Sequence, residues 1–236
     1  MFKHNVILAL YIFLLLCINF ISCRFHGGLF LALKGSDSIV LISDGRFSSQ
    51  AAGKNVFQGI TTRGILSVST KVLLCFYGLE SDIYVMRDRL RYSLRDQSDD
   101  SIDPNVISHV VSNILYDIPL LCAPIIIGFD FNNEPYICST DSIGAKTMLT
   151  SFTTSGTSSS ALYAICEDLY RENLDSKELQ KLGLRCVHKA LQRDLVSGCQ
   201  MQMITMKKRK DTKEQDEVED NIENEFEIQK FYVTDV

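Results

Sequence analysis

Cationic excess is missing from this sequence: 24 Lys and Arg residues stand against 29 Asp and Glu, for a formal net charge of −5. Without a broad basic surface a chain has little with which to neutralise a phosphate backbone, so nucleic acid is not an expected partner. Metal-ligand spacing is missing as well. The eight cysteines fall at positions 17, 23, 75, 122, 138, 166, 186 and 199 with no C-x-x-C pair, and His4, His26, His109 and His188 form neither H-E-x-x-H nor H-x3-5-H. Neither a disulfide framework nor a zinc site is expected, and no metal or cofactor is assigned. No G-x-G-x-x-G follows a strand-like run and no G-x4-G-K-[ST] occurs, which removes the usual nucleotide-binding folds. There is also no N-x-[ST] acceptor and no internal repeat.

What is present is an ordinary globular composition, 46% hydrophobic and 22% charged over 236 residues, enough for one domain or at most two small ones. The ends differ from the middle. After Lys3 an apolar run extends from Val6 to Ile21, broken only by Asn19 and followed by Ser22-Cys23-Arg24, so residues 1–26 read as a signal-like leader, a propeptide or a gene-model extension. As a helix the run would reach about 24 Å, short of a hydrocarbon core of roughly 30 Å, so cleavage is favoured over spanning. Near the other end, Lys207 to Glu225 carries five basic and eight acidic residues. Such a segment cannot bury a core and is expected as a solvated insertion between two strands, Met201 to Met206 and Phe226 to Val233.

Between these ends the pattern alternates. Leu29 to Lys34, the turn Gly35-Ser36-Asp37 and Ile39 to Ser43 predict a hairpin. Asn55 to Ile60 and Ile65 to Tyr77 predict a second strand pair across Thr61-Thr62-Arg63-Gly64. Ser81 and Asp82 offer cap chemistry to a helix carrying Ile83, Met86, Leu90 and Leu94 on one face. Asp103-Pro104 opens another, with Val106, Ile107, Val110, Val111, Ile114 and Leu115. Ile125 to Phe129, Asn132-Asn133 and Tyr136 to Thr140 form a further hairpin. Ser155-Gly156-Thr157 is expected to open a third helix bearing Ala161, Leu162, Ile165 and Leu169, and Asp175 caps a fourth with Leu179, Leu182, Cys186 and Leu191. Strands joined by tight turns pair antiparallel, so two sheets with a helix pair on each outer face would bury every apolar surface. The expected fold class is therefore α/β (α+β), a four-layer αββα sandwich.

Three local patterns occur together on this framework: Gly27-Gly28-Leu29-Phe30-Leu31-Ala32-Leu33-Lys34-Gly35 leading into Ser43-Asp44-Gly45-Arg46-Phe47, then Gly78-Leu79-Glu80-Ser81-Asp82, and finally Arg193-Asp194-Leu195-Val196-Ser197-Gly198. With Pro135 to Gly144, Ser155-Gly156-Thr157 and Cys166-Glu167, they make the chain resemble the proteasome β-subunit family, most of all its beta type-3 branch. The similarity runs from about Gly27 to Met206 and resumes weakly at Phe226. It implies an N-terminal nucleophile hydrolase-like αββα domain over residues 27–236, with 207–225 as an insertion, placed in the β-rings of the 20S core particle.

By that resemblance active members use an N-terminal threonine freed by autocatalytic cleavage, a chemistry that needs a hydroxyl or thiol at the new terminus. Counting back from Asp44, the matching position is Gly28, which has no side chain with which to attack. The supporting lysine position falls on Gly59 or Gly64, and Lys54 is the nearest lysine. Ser155, Asp194 and Ser197 match supporting positions. Without a nucleophile their structural reading is preferred: Asp194, Ser197 and Gly198 as a helix-ending turn, Ser155 and Thr157 as caps, and Asp44 with Gly45 as a strand-ending turn. The expectation is a non-catalytic structural subunit, not an enzyme, contacting other α- and β-subunits in the cytoplasm and nucleus. The Ser139 to Ala145 segment, with Asp141, is its candidate neighbour-facing element. Two alternatives are a divergent N-terminal nucleophile hydrolase using Cys23, which lies about 17 Å upstream along an extended chain, and a secretory-pathway paralogue whose cysteines would pair as disulfides.

Overall fold

A computed structural model describes residues 24–51, 54–60, 64–98, 102–194, 198, 201–208 and 226–233. Residues 1–23 of the leader, with Cys23, most of the charged insertion and Ser197 lie outside the described residues, whereas Arg24 to His26, assigned to the leader from sequence, begin the first strand. In chain order the strands are β1 (Arg24–Gly27), β2 (Leu29–Lys34), β3 (Ser38–Asp44), β4 (Arg46–Ala51), β5 (Lys54–Ile60), β6 (Ile65–Ser67) and β7 (Val72–Gly78). Helices α1 (Glu80–Leu94) and α2 (Pro104–Asp117) follow, then β8 (Cys122–Phe129), β9 (Pro135–Thr140), β10 (Lys146–Leu149) and β11 (Phe152–Gly156). Helices α3 (Ser159–Leu169) and α4 (Ser176–Leu191) precede β12 (Met201–Lys208) and β13 (Phe226–Val233).

Two five-stranded antiparallel sheets form, in the orders β11-β2-β3-β12-β13 and β10-β9-β8-β7-β6. Side-chain alternation along β2 and β3 explains why they stack. Leu29, Leu31, Leu33, Val40 and Ile42 face α3 and α4, packing on Leu162, Leu179, Val187 and Ala190. Phe30, Ala32, Ile39 and Leu41 face the other way, onto Leu73, Ile125, Ile127, Phe129 and Ile137 of the second sheet. The far side of that sheet, with Val72, Leu74, Phe76 and Ile126, meets Ile83, Met86 and Leu90 of α1 and Ile107, Val111 and Leu115 of α2. Strands apolar on both faces need cover on both, and the two helix pairs supply it. The four-layer αββα sandwich expected from element order is the observed architecture.

Several local expectations need correction. Lys54–Ile60 pairs with Arg46–Ala51, giving a three-stranded sheet in the order β1-β4-β5, whereas Ile65–Ser67 folds back on Val72–Gly78 in the second large sheet. The run from Ile65 to Tyr77 is interrupted by a turn in which Val68 and Ser69 N–H both donate to Val72 O and Ser67 Oγ donates to Ser69 O. Hydroxyl side chains that satisfy backbone groups locally end a strand that apolar content alone would continue. Helix α1 starts at Glu80 behind an extended Leu79 that gives no side-chain cap. Asp82 instead accepts the Leu121 N–H at 2.7 Å, tying the first turn of α1 to the approach of β8. Ser155 and Gly156 finish β11, and α3 opens only at Ser159. The caps at Asp103 and Asp175 are as expected, the latter a full capping box with Glu178.

Candidate functional site

Four chain segments meet where β2 begins. Gly28 joins β1 to β2, Asp44 ends β3, Gly156 to Ser158 follow β11, and Asp194 and Gly198 follow α4. Pairing brings the first three together: Gly156 lies opposite Leu29 and Phe30 lies opposite Ser43. The fourth is held by hydrogen bonds. Asp44 is 6% exposed; its Oδ1 accepts the Leu29 N–H at 2.7 Å and its Oδ2 accepts the Gly198 N–H at 2.9 Å. One buried carboxylate thereby connects the start of β2, the end of β3 and the segment before β12, and such charge-assisted bonds are stronger than neutral ones.

Two glycines make the convergence possible. Gly28 has φ +98 and its carbonyl accepts the Thr157 N–H at 3.3 Å. A Cβ at Gly28 would meet only ordinary contacts, Phe30 Cε2 at 3.5 Å, Tyr77 Cδ2 at 3.8 Å and Asp44 Oδ1 at 3.9 Å. The obstacle to a side chain at this position is therefore the left-handed backbone, not lack of room. Gly156, at φ +107, differs: a Cβ there would lie 2.0 Å from the Gly28 carbonyl oxygen.

Asp194 forms the second anchor. It accepts from Thr157 Oγ1 at 3.1 Å and from the buried Ser158 Oγ. Ser158 is the N-cap of α3 yet makes no side-chain cap bond, because its hydroxyl is directed to Asp194. The Tyr77 phenol has its pKa raised, first by burial and then by the charge of Asp194. Carboxylates ionise near about pH 4, far below an aliphatic hydroxyl, so a carboxylate that accepts from two hydroxyls orients them and does not deprotonate them. The site's polar groups hold backbone segments together, and position 28 contributes no hydroxyl or thiol.

Of the residues singled out by sequence, Gly28, Asp44 and Asp194 are brought into this one cluster. Ser155 lies on β11 opposite Phe30, and the hydroxyls that reach Asp194 belong to Thr157 and Ser158. Sequence reasoning assigned Thr157 to a cap and passed over Ser158 and Tyr77. The available sign was Gly156, a residue that breaks the helical start and turns the two hydroxyls inward. Gly198 takes part through its N–H. Gly59 sits opposite Phe47 in the small sheet, and a Cβ at Gly64 would lie 2.8 Å from Phe30 Cζ, so position 64 is not poised for a longer side chain without rearrangement. Asp141 lies apart, in the turn after β9, where its Oδ1 accepts the Ile143 N–H at 3.0 Å and the Ala145 N–H at 2.8 Å. Among the described residues no group of three or more His, Cys, Asp or Glu side chains could hold a metal ion.

The family model described as "Proteasome subunit" matches residues 25–206, which span all of these segments. The chain belongs to the proteasome subunit family. It is similar to proteasome subunit beta type-3-A of Arabidopsis thaliana, 32% identical over 185 residues that cover 74% of this chain and 87% of the relative. Proteasome subunit beta type-3 of Oryza sativa subsp. japonica is 30% identical with the same coverage. The probable proteasome subunit beta type-3 of Schizosaccharomyces pombe is 29% identical over 194 residues, covering 78% of this chain and 93% of its own length. The chain is thus a beta type-3-like proteasome β-subunit. The family resemblance and its αββα sandwich, both expected from the sequence, agree with these matches.

Proposed function

We propose that this proteasome β-subunit is a non-catalytic structural member of the 20S core particle, supporting protein degradation carried out by its neighbours. The observation that carries the reading is Gly28: at the position matched to the family nucleophile the chain offers a hydrogen atom, and the surrounding polar groups are engaged in holding backbone segments together. Its partners on this reading are other α- and β-subunits, in the cytoplasm and nucleus. The turn built by Asp141 is our candidate for a surface facing an adjacent subunit, because Asp141 and Ser112, which donates to Gly144 O, preset its shape before any docking. One further observation is consistent with the assignment: the five described cysteines, Cys75, Cys122, Cys138, Cys166 and Cys186, are buried free thiols.

Two measurements on the endogenous protein test this. Native mass spectrometry is expected to find the chain in a particle of core-particle mass and to report its N-terminal residue. An electrophilic peptide probe is expected to label neighbouring β-subunits and leave this chain unlabelled. Covalent labelling of this chain, or peptide hydrolysis by it alone, would refute the proposal.

A further inference from the structure

Helix α4 turns one face to the first sheet, where Leu179, Gly183, Cys186, Val187 and Ala190 are buried. Its outer side carries a row of cations. Lys177, Lys181, Arg185 and Lys189 recur at every fourth position, and Arg193 continues the spacing in the turn that follows the helix. All five are exposed. Side chains four apart on a helix are neighbours, about 5–6 Å apart at Cβ, so the row is a single ridge about 24 Å long. Like charges at that spacing destabilise a helix. Lys177 also stands in the first turn, where the helix dipole disfavours a cation. The fold does not offset these costs: among the described residues no carboxylate forms an ion pair with any of the five. Asp175 and Glu178 cap the helix reciprocally, and Glu167, Asp168 and Glu172, on and just after α3, are exposed but not paired with the row. So dense a basic ridge is the more conspicuous in a chain whose 29 Asp and Glu outnumber its 24 Lys and Arg.

We propose that the α4 ridge docks a carboxylate-rich face of another protein subunit, resting on the reading of this chain as one member of an assembly. Charge complementarity identifies the chemistry of the partner, and the shape of the ridge separates carboxylates from a phosphate polymer. A polyanion is repelled at a distance by the net negative chain and meets a ridge only one side chain wide. Carboxylates fixed on a folded partner can be set one against each cation. Arg185 and Arg193 can hold theirs through two parallel N–H···O bonds. An isolated surface ion pair gains little, but several charges acting as a network gain more, and docking also removes the repulsion along the row.

The test applies a water-soluble carbodiimide to the endogenous assembly. This reagent joins a lysine amine to a touching carboxylate as an amide, with loss of one water. Digestion and mass spectrometry are expected to find Lys177, Lys181 or Lys189 joined to Asp or Glu of a different chain, and the same amines shielded from an acetylating reagent in the intact assembly. In a charge-reversed chain, Lys181→Glu with Arg185→Glu, those cross-links are expected to vanish and the share of the chain recovered in the assembly to fall roughly tenfold or more. The swap Lys181→Arg with Arg185→Lys is expected to keep both. Charge reversal touches only exposed side chains and relieves repulsion, so the thermal midpoint of the full-length chain is expected to hold or rise, which separates loss of docking from loss of folding. Cross-links confined to this chain's own carboxylates, full acetylation of the three lysines in the intact assembly, or undiminished assembly of the charge-reversed chain overturns the proposal. So does shielding of the ridge that nuclease treatment abolishes. The cross-links of the unsubstituted assembly decide the matter even if the variant folds poorly. A core particle lacking interchain cross-links at these lysines refutes the docking and leaves the proposed function standing; such cross-links in a particle of another kind do the reverse.

Discussion

Asp44 meets two backbone N–H groups from segments far apart in sequence, and that arrangement sets what substitution there costs. In Asp44→Asn the amide nitrogen would face one of those donors, so one bond is replaced by a donor–donor clash. A loss of about 2–3 kcal/mol is expected, read as a lower urea midpoint. Gly28→Thr poses a different problem. Room exists for its Cβ, but in the continuous chain a positive φ disfavours any L-residue, so the substitution is expected to cost about 1–2 kcal/mol and to confer no peptidase activity on a fluorogenic peptide. Gain of turnover by that variant alone would contradict the structural reading of the site.

Elements show where local chemistry suffices and where it is redirected. Asp175 and Glu178 cap α4 reciprocally with groups three residues apart, an interaction the chain makes without help from the rest of the fold. Asp175→Ala is expected to remove about 1 kcal/mol of stability, measured by thermal or urea unfolding. Helix α3 carries equally good cap chemistry at Ser158, yet the hydroxyl serves Asp194 across the site. Helix α1 likewise has Asp82 in its first turn, spent on the Leu121 N–H. Cap residues identify that a helix is near; which donor they satisfy depends on what packs beside them. Strands β10 and β11 escaped sequence reasoning because they are short and partly exposed, and their pairing with β9 and β2 is between segments whose side chains show no clean alternation.

At the scale of the whole molecule, three apolar layers share the load and the middle one lies between the sheets. Phe129, fully buried in that layer, reaches both sheets' inner faces, and Phe129→Ala is expected to cost about 3–5 kcal/mol through lost transfer energy and an unfilled cavity. Burial also makes the fold sensitive to alkali. The Cys122 thiol is pushed up from 9.0 to about 12, by burial and then by Asp82, and the Tyr136 phenol from 10.0 to about 12, chiefly by burial. Because both groups hold their protons longer when folded, the unfolded chain binds fewer protons over this range. Stability is accordingly full below pH 9.0, falls as pH rises through 9.0 and 10.0, and has lost these contributions above about 12. Urea midpoints measured at increasing alkaline pH should fall in that window, and Tyr136→Phe should make the fall shallower; a flat profile would count against this account.

By itself the sequence determined the layer count, the helix pairs and the family. The alternation in Leu29 to Leu33 and Ile39 to Ile42 and the stripes of α1, α2 and α4 are local consequences of side-chain order, and they leave few ways to bury every apolar face. It also determined that position 28 carries no attacking atom. Only the tertiary structure decided which strands meet across the Ser69 turn, and that Thr157 and Ser158 and not Ser155 reach Asp194. Those contacts join segments that no periodicity links. They are set by sheet register and by the approach of Gly156 to the Gly28 carbonyl, where a methyl group could not fit.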